Sequence, residues 1–402
     1  MEGARPMFDI TIEQKTLMKA LEYLEPTVGK NANNLGDNCV SMRTTGSGSV
    51  EMYTTNTLEF TKLEAIVSNG GNTQEQAPLV DFKRFKTIIG SIPPNEHVSL
   101  QASVNDLLIN FSLKPTPIQL VGCNNGMLPL PTPTFSSNPM VIPKILMAEA
   151  LSCACSIITD NTSAPLYNCM RIATDGVNVE ITGLDYVGKR TFAKTGVATS
   201  NNAPMDVLIE ASKLKKSMKI YEDFAELELN MNQNIIRIDG ADIVSQYQQK
   251  TGGMITGISY FARRVNGVYP VNIAQNFAPA PTEFSEINKE ELLNSIARAK
   301  ALEDSTSQNT IRFEVTGNNV VVALNSAYGN IEDSITAENS VTKQIASVFK
   351  YEHLSDIMKV INTDTFEIGV LPNHPAYYVI KTKGSNDVQF MVAGVVGQNA
   401  TP

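Results

Sequence analysis

The chain has 402 residues, 42% of them hydrophobic, with 32 Lys and Arg against 41 Asp and Glu and a formal net charge of −9. That length points to two to four domains, and without any run of about 18 apolar residues no transmembrane helix is expected. The opening "MEGARPMFDITIEQ" lacks the apolar stretch of a signal peptide, and Glu2 and Asp9 do not suit an organelle-targeting segment. Cys39, Cys123, Cys153, Cys155 and Cys169, an odd count without regular spacing, suggest reduced buried thiols. Cys153-x-Cys155 has no second Cys/His pair beside it to complete four zinc ligands. A soluble intracellular protein is therefore expected.

In chain order, Thr11-x-x-Gln14 makes a capping box that opens a helix through "KTLMKAL". Two β-like runs follow around a Gly-rich turn in "CVSMRTTGSGSVEMYTT", then a helix in "FKRFKTIIGSI" and an alternating meander in "HVSLQASVNDLLINFSL". The Pro/Thr/Ser-rich segment "PLPTPTFSSNP" (129–139) has the composition of a linker. Beyond it Pro143 suits the first turn of a helix in "KILMAEAL", followed by the hairpin "CMRIATDGVNVEITGL", the helix "SKLKKSMKIYE" and the meander "AELELNMNQNIIRI". A second linker, "NFAPAPTEFSE" (276–286), precedes a third pass. There Asn288-x-x-Glu291 caps "KEELLNSIARAKAL", and "TIRFEVTGNNVVVAL", "YEHLSDIMKVI" and "TFEIGVLPNHPAYYVIKT" follow.

The passes are related. "KTLMKAL" begins at Lys15 and "KILMAEAL" at Lys144, while "FKRFKTIIGSI" centres on Phe85 and "SKLKKSMKIYE" on Leu214; both pairs are offset by 129 residues. A repeated unit of helix, strands, helix, strands is expected three times, over 1–135, 136–280 and 281–402. The expected fold class is α+β, with two helices packed on antiparallel sheet in each repeat.

An acidic chain concentrates Lys213, Lys215, Lys216 and Lys219 in seven positions. On a helix at about 100° per residue, Leu214, Met218 and Tyr221 share a narrow apolar stripe and the lysines take the opposite arc. The equivalent helix of the first repeat buries Phe82, Phe85 and Ile89 and points Lys83, Arg84 and Lys86 elsewhere. A single such helix is an ordinary solvated face. Two at equivalent positions make a basic surface that attracts phosphates without reading sequence. The three histidines, His97, His353 and His374, stand in no nucleophile, metal or phosphate-loop context, so no enzyme is expected; His353 is placed at a surface or boundary.

Three repeats of two helices and two sheet segments, with basic helices, resemble the bacterial β sliding clamp, the processivity subunit of replicative DNA polymerase. "FDITIEQKTLMKAL" looks like that family's N-terminal strand and helix, "ISYFARRVNGVYPVN" is similar to its strand followed by "DGRFPDY", and "VQFMVAGVV" resembles its closing strand. The resemblance implies two chains joined head to tail as a cytoplasmic ring, with helices lining a hole for duplex DNA. It implies no cofactor, and a polymerase and a clamp loader as partners, held through a short peptide. Carried over residue by residue, it places Lys213, Lys215, Lys216, Lys219, Lys83, Arg84 and Lys86 on DNA, with Lys15, Lys19 and Lys30 as further candidates.

"YNCM" (167–170) resembles the family's "LNGM", and "LDYVGK" (184–189) takes the place of its "TDGHRL"; by that count "ATDG" (173–176) is a hairpin turn. The implied peptide pocket comprises Tyr167, Leu184, Tyr186, Val187, Lys189, Pro270, Gln275, Tyr377, Met391, Ala393 and Val395. Ile118 and Leu302 are implied at the dimer junction. Two other readings stay open: a β-rich structural, perhaps viral, protein, and a clamp-like chain that does not close a ring.

Overall fold

The computed structural model describes residues 8–29, 36–56, 58–71, 73–102, 105–123, 133–135, 139–158, 163–185, 190–199, 204–222, 224–240, 255–269, 277–303 and 309–395. The chain divides into two compact units, residues 1–144 with 215–264 and residues 145–214 with 265–402. Among the described residues no helix is long and apolar enough to cross a membrane.

The first unit holds two antiparallel sheets. One has five strands in the order Asn69–Gly70, Phe8–Glu13, His97–Ala102, Asp106–Phe111 and Lys114–Val121. Phe8, Ile10 and Ile12 are buried while Asp9 points out, the period of two of a half-buried strand. At Gly70 a Cβ would lie 2.0 Å from the Asp9 carbonyl oxygen, and φ is 86°, so only glycine fits this edge. The second sheet runs Met140–Pro143, Glu226–Met231, Ile235–Gly240, Ile255–Arg263, Glu59–Ile66, Ser49–Thr55, Cys39–Thr44 and Val80–Asp81. Helix α1 (Gln14–Leu24) buries Leu17, Ala20, Leu21 and Leu24 and packs against helix α2 (Phe82–Gly90).

The second unit has an eight-stranded sheet ordered Met205–Glu210, Cys169–Thr174, Asn178–Leu184, Arg190–Val197, Val388–Ala393, His374–Thr382, Thr365–Leu371 and Ser285–Asn288. A long hairpin, Thr310–Ser326 with Gly329–Lys350, completes its strands. Its helices are α3 (Lys144–Ile157, from Ile145 onward), α5 (Lys289–Lys300) and α6 (Tyr351–Val360). Helix α4 (Ala211–Ser217) spans the division between the units after Leu214. The order strand, helix, strands, helix, strands thus occurs three times, in an α+β fold of helices on antiparallel sheet. The expected repeat boundaries at 135/136 and 280/281 describe the chain differently from the two units. Strand Glu59–Ile66 of the first repeat pairs with Ile255–Arg263 of the second, and Arg190–Val197 of the second pairs with Val388–Ala393 of the third.

Local details correct several expectations. The Thr11–Gln14 box does not form: the strand runs on to Glu13, α1 starts at Gln14, and the Gln14 amide donates to the Ile89 carbonyl at 2.8 Å instead. Pro143 ends strand Met140–Pro143 rather than opening the helical turn. Asn288 does cap α5, accepting from the Glu291 amide at 3.1 Å. The lysine-rich helix stops at Ser217 and tightens into a 3₁₀ turn, Met218–Tyr221. With about three residues per turn, the buried line becomes Leu214, Ser217 and Ile220, joined by Tyr221, and Met218 is only half-buried. His353 is buried on α6 rather than at the surface. None of the five cysteines forms a disulfide, and burial pushes the Cys153 and Cys169 thiols up to about 12.

Candidate functional site

The candidate DNA-facing cations differ in what they already hold. On α2, Phe82, Phe85 and Ile89 turn inward, leaving Lys83 and Arg84 exposed, and neither makes an ion pair among the described residues. Lys86 is engaged with Glu25 at 2.8 Å. Lys215, Lys216 and Lys219 are likewise exposed and without an ion pair among the described residues, whereas Lys213 is paired with Glu210. Lys15 lies 3.2 Å from Glu13; Lys19 lies 3.4 Å from Glu22 and 4.7 Å from the centre of the Tyr23 ring. Lys30 lies outside the described residues. Helix α1 packs on both α2 and the Met218–Tyr221 turn, so Lys83, Arg84 and Lys219 belong to elements in contact with one helix. They can attract anions, while their paired neighbours must first give up a carboxylate.

The candidate peptide groove is built on the sheet of the second unit. Leu184 stands opposite Thr191, Thr191 opposite Met391 and Met391 opposite Val379, one row across four strands and therefore one face. At one end Leu184 packs with Cys169, Leu208 and Tyr269, against which Leu166, Tyr167 and Val265 lie. At the other, Met391 packs with Ala193, Phe277, Leu371 and Val379, with Phe284 and Tyr377 against them. Tyr269 donates its hydroxyl to the Cys169 carbonyl at 2.8 Å, and burial holds that phenol far above the ordinary tyrosine range. Ala393 lies opposite Tyr377, and Val395 is half-buried with its amide on the Val348 carbonyl at 2.7 Å.

The structure therefore gathers Tyr167 and Leu184 into one cluster and Tyr377 and Met391 into another on the same sheet. Tyr186, Val187, Lys189, Pro270 and Gln275 lie outside the described residues. Sequence reasoning missed Tyr269, Leu208, Phe277 and Phe284. Tyr269 had a signal, since it directly precedes the proline singled out in "VYPVN". The "ATDG" segment is a hairpin turn, as the count implied: Asp175 accepts from the Val177 and Asn178 amides at 2.9 and 2.7 Å.

One buried ionic node supports the groove. Arg190, 7% exposed, reaches Asp185 at 3.3 Å, Asp356 on α6 at 3.2 Å, and the Ser156 and Ile157 carbonyls at the end of α3, each at 3.3 Å. The Asp185 amide also donates to the Arg190 carbonyl at 3.0 Å, closing the four-residue connection 186–189 at its base. Arg190→Ala removes the guanidinium from a buried aspartate and is expected to cost about 3 kcal/mol in chemical unfolding. Arg190→Lys should recover part of that loss; an unchanged unfolding midpoint for the alanine variant would contradict the assigned role.

No protein-family model matches the chain. Its sequence is 28% identical over 120 residues to the beta sliding clamp of Lactococcus lactis, a match covering 29% of this chain and 31% of that protein. The match thus spans under a third of the curated relative's length. In structure the chain is similar to the DNA polymerase III subunit beta of Pseudomonas aeruginosa, with TM-score 0.82 and 13% identity over 96% of this chain and 99% of that one. It is similar also to the DNA polymerase sliding clamp of Bacillus subtilis, with TM-score 0.81 and 14% identity over 97% and 100%.

The chain has the bacterial β sliding-clamp fold. The beta subunit from the DNA polymerase of Streptococcus pyogenes gives the same result, TM-score 0.80 at 17% identity over 96% of this chain and 99% of that one. The clamp resemblance read from the sequence is borne out, as that of a divergent chain. A clamp fold along nearly the whole length makes the repeats a property of the fold rather than a coincidence.

Proposed function

We propose that this chain is a DNA sliding clamp, a non-catalytic processivity subunit. In this reading two copies close head to tail around duplex DNA and tether a replicative polymerase in the cytoplasm. The observation that carries it is the clamp fold over 96–97% of the chain. Three clamp domains, 1–135, 136–280 and 281–402, supply the repeats of the ring. Lys83, Arg84, Lys215, Lys216 and Lys219 lead the phosphate contacts, with Lys213, Lys86, Lys15, Lys19 and Lys30 secondary because the described ones are already paired. Such contacts hold any sequence, which suits a protein that must slide. No catalytic group is needed, because tethering works by topology and effective concentration.

The groove beside Leu184, Tyr269, Met391 and Tyr377 takes a short apolar peptide from the polymerase, and a clamp loader uses the same place. Tyr167 and Tyr377 are larger than the leucine and serine at the matching family positions, which makes the groove shallower and its peptide preference distinct. The test is calorimetric titration of the intact protein with the C-terminal peptide of the polymerase from its own replication system. Tyr377→Ala and Leu184→Ala should each weaken binding by about tenfold, the loss typical of a central apolar anchor. Unchanged affinity in both folded variants would place the groove elsewhere.

A further inference from the structure

The first unit contains a cavity of about 390 Å³ on its eight-stranded sheet, where strand Glu59–Ile66 meets strand Ile255–Arg263. Its apolar wall is Phe60 stacked on Phe261, with ring centres 4.0 Å apart and planes 9° from parallel, joined by Ile235. Leu58 stands at the edge, 41% exposed. Glu59 is buried, accepting the Tyr260 hydroxyl and, at 2.8 Å, the Asn56 amide. Arg263 is exposed and lines the same cavity, without an ion pair among the described residues.

The place is not arbitrary within the repeat. Adding the 129-residue offset takes Thr55 onto Leu184, and Thr55 pairs with Phe60 as Leu184 pairs with Thr191. On the partner strand the register continues the match. Phe60 pairs with Phe261 and Thr191 with Met391, which sets Phe261 against Met391 and Arg263 against Ala393. The cavity thus repeats, one junction earlier, the position of the groove assigned above to a partner peptide. Its base is firm: Asn56 accepts from the Leu58 and Glu59 amides at 3.2 and 3.0 Å, and the Arg263 amide donates to the Leu58 carbonyl at 3.0 Å.

We infer that this cavity is a second peptide-docking site, taking a partner protein's extended segment with a bulky apolar side chain beside a carboxylate. The apolar side chain enters against Phe60, Phe261 and Leu58. The carboxylate answers the uncompensated Arg263, and the buried Glu59 disfavours a second acid inside. Charge complementarity separates this site from the groove of the second unit, where the position matching Arg263 is the uncharged Ala393. The inference rests on the clamp reading for the peptide chemistry and not for the cavity.

The experiment is selection of a displayed random dodecapeptide library on the intact protein, followed by anisotropy titration of the selected peptides. Variants Leu58→Ala and Arg263→Glu report on this cavity, and Tyr377→Ala reports on the other groove. A class of peptides pairing Leu or Phe with Asp or Glu should lose about tenfold or more in affinity to Leu58→Ala and Arg263→Glu and none to Tyr377→Ala. If every selected peptide responds to Tyr377→Ala and none to Arg263→Glu, the second site is overturned and the clamp groove stands. If peptides respond only at Arg263 and Leu58, the second site stands and the groove assignment fails. If no peptide is selected, both assignments fall.

Discussion

Ile118→Asp together with Leu302→Asp is expected to convert a dimer, of twice the 43.8 kDa chain mass, into folded monomers. Strand Lys114–Val121 is the outer strand of its five-stranded sheet, so one row of backbone groups has no neighbour within that sheet. Leu113 and Val121 near its ends are each 68% exposed, and Ile118 between them is half-buried. An edge with this much apolar surface suits the proposed head-to-tail contact. Leu302 follows α5, its amide on the Ala299 carbonyl at 3.0 Å, and is half-buried too. If these two surfaces meet across a head-to-tail contact, a ring of two chains has two such contacts and the double variant buries four new charges. Each unpaired charge costs several kcal/mol, enough to dissolve an ordinary dimer. Light scattering with circular dichroism checks this. A dimer mass that persists with native dichroism would refute the junction.

The second large effect concerns salt. Replacing Lys215, Lys216 and Lys219 by alanine should flatten the plot of log affinity for duplex DNA against log salt by about 2.7, at about 0.9 per phosphate contact. Between 50 and 200 mM salt that slope alone accounts for a change of about 40-fold in affinity. The loss should be uniform across DNA sequences, because phosphate contacts carry no base information. Lys213→Ala alone should do little, since its ammonium is already held by Glu210. Filter-binding titrations at several salt concentrations give the slope. An unchanged slope in the triple variant would remove these lysines from the DNA path.

The repeat was legible because helix periodicity is local. Phe82, Phe85 and Ile89 show one apolar face without any knowledge of their partners, and the 129-residue offset needs only the chain. The joining of repeats into shared sheets was not legible, because Phe60 and Phe261 pair across 201 residues, beyond any local pattern. The lysine helix was read one turn too long, since a switch to 3₁₀ winding leaves little trace in hydropathy. In the groove, Tyr167, Leu184, Tyr377 and Met391 came from the resemblance. Phe277 and Phe284 were hidden inside a segment whose prolines suggested a linker, and the fold uses both as packing. Arg190 escaped notice because its partners, Asp185, Asp356 and two carbonyls of α3, come from three separate stretches.

Closure of this fold into a ring is tested most directly by single-particle electron microscopy of the purified chain. A closed clamp gives two-chain particles with twofold symmetry around a central hole wide enough for duplex DNA. Particles that are single open chains, or dimers packed without a hole, would contradict it.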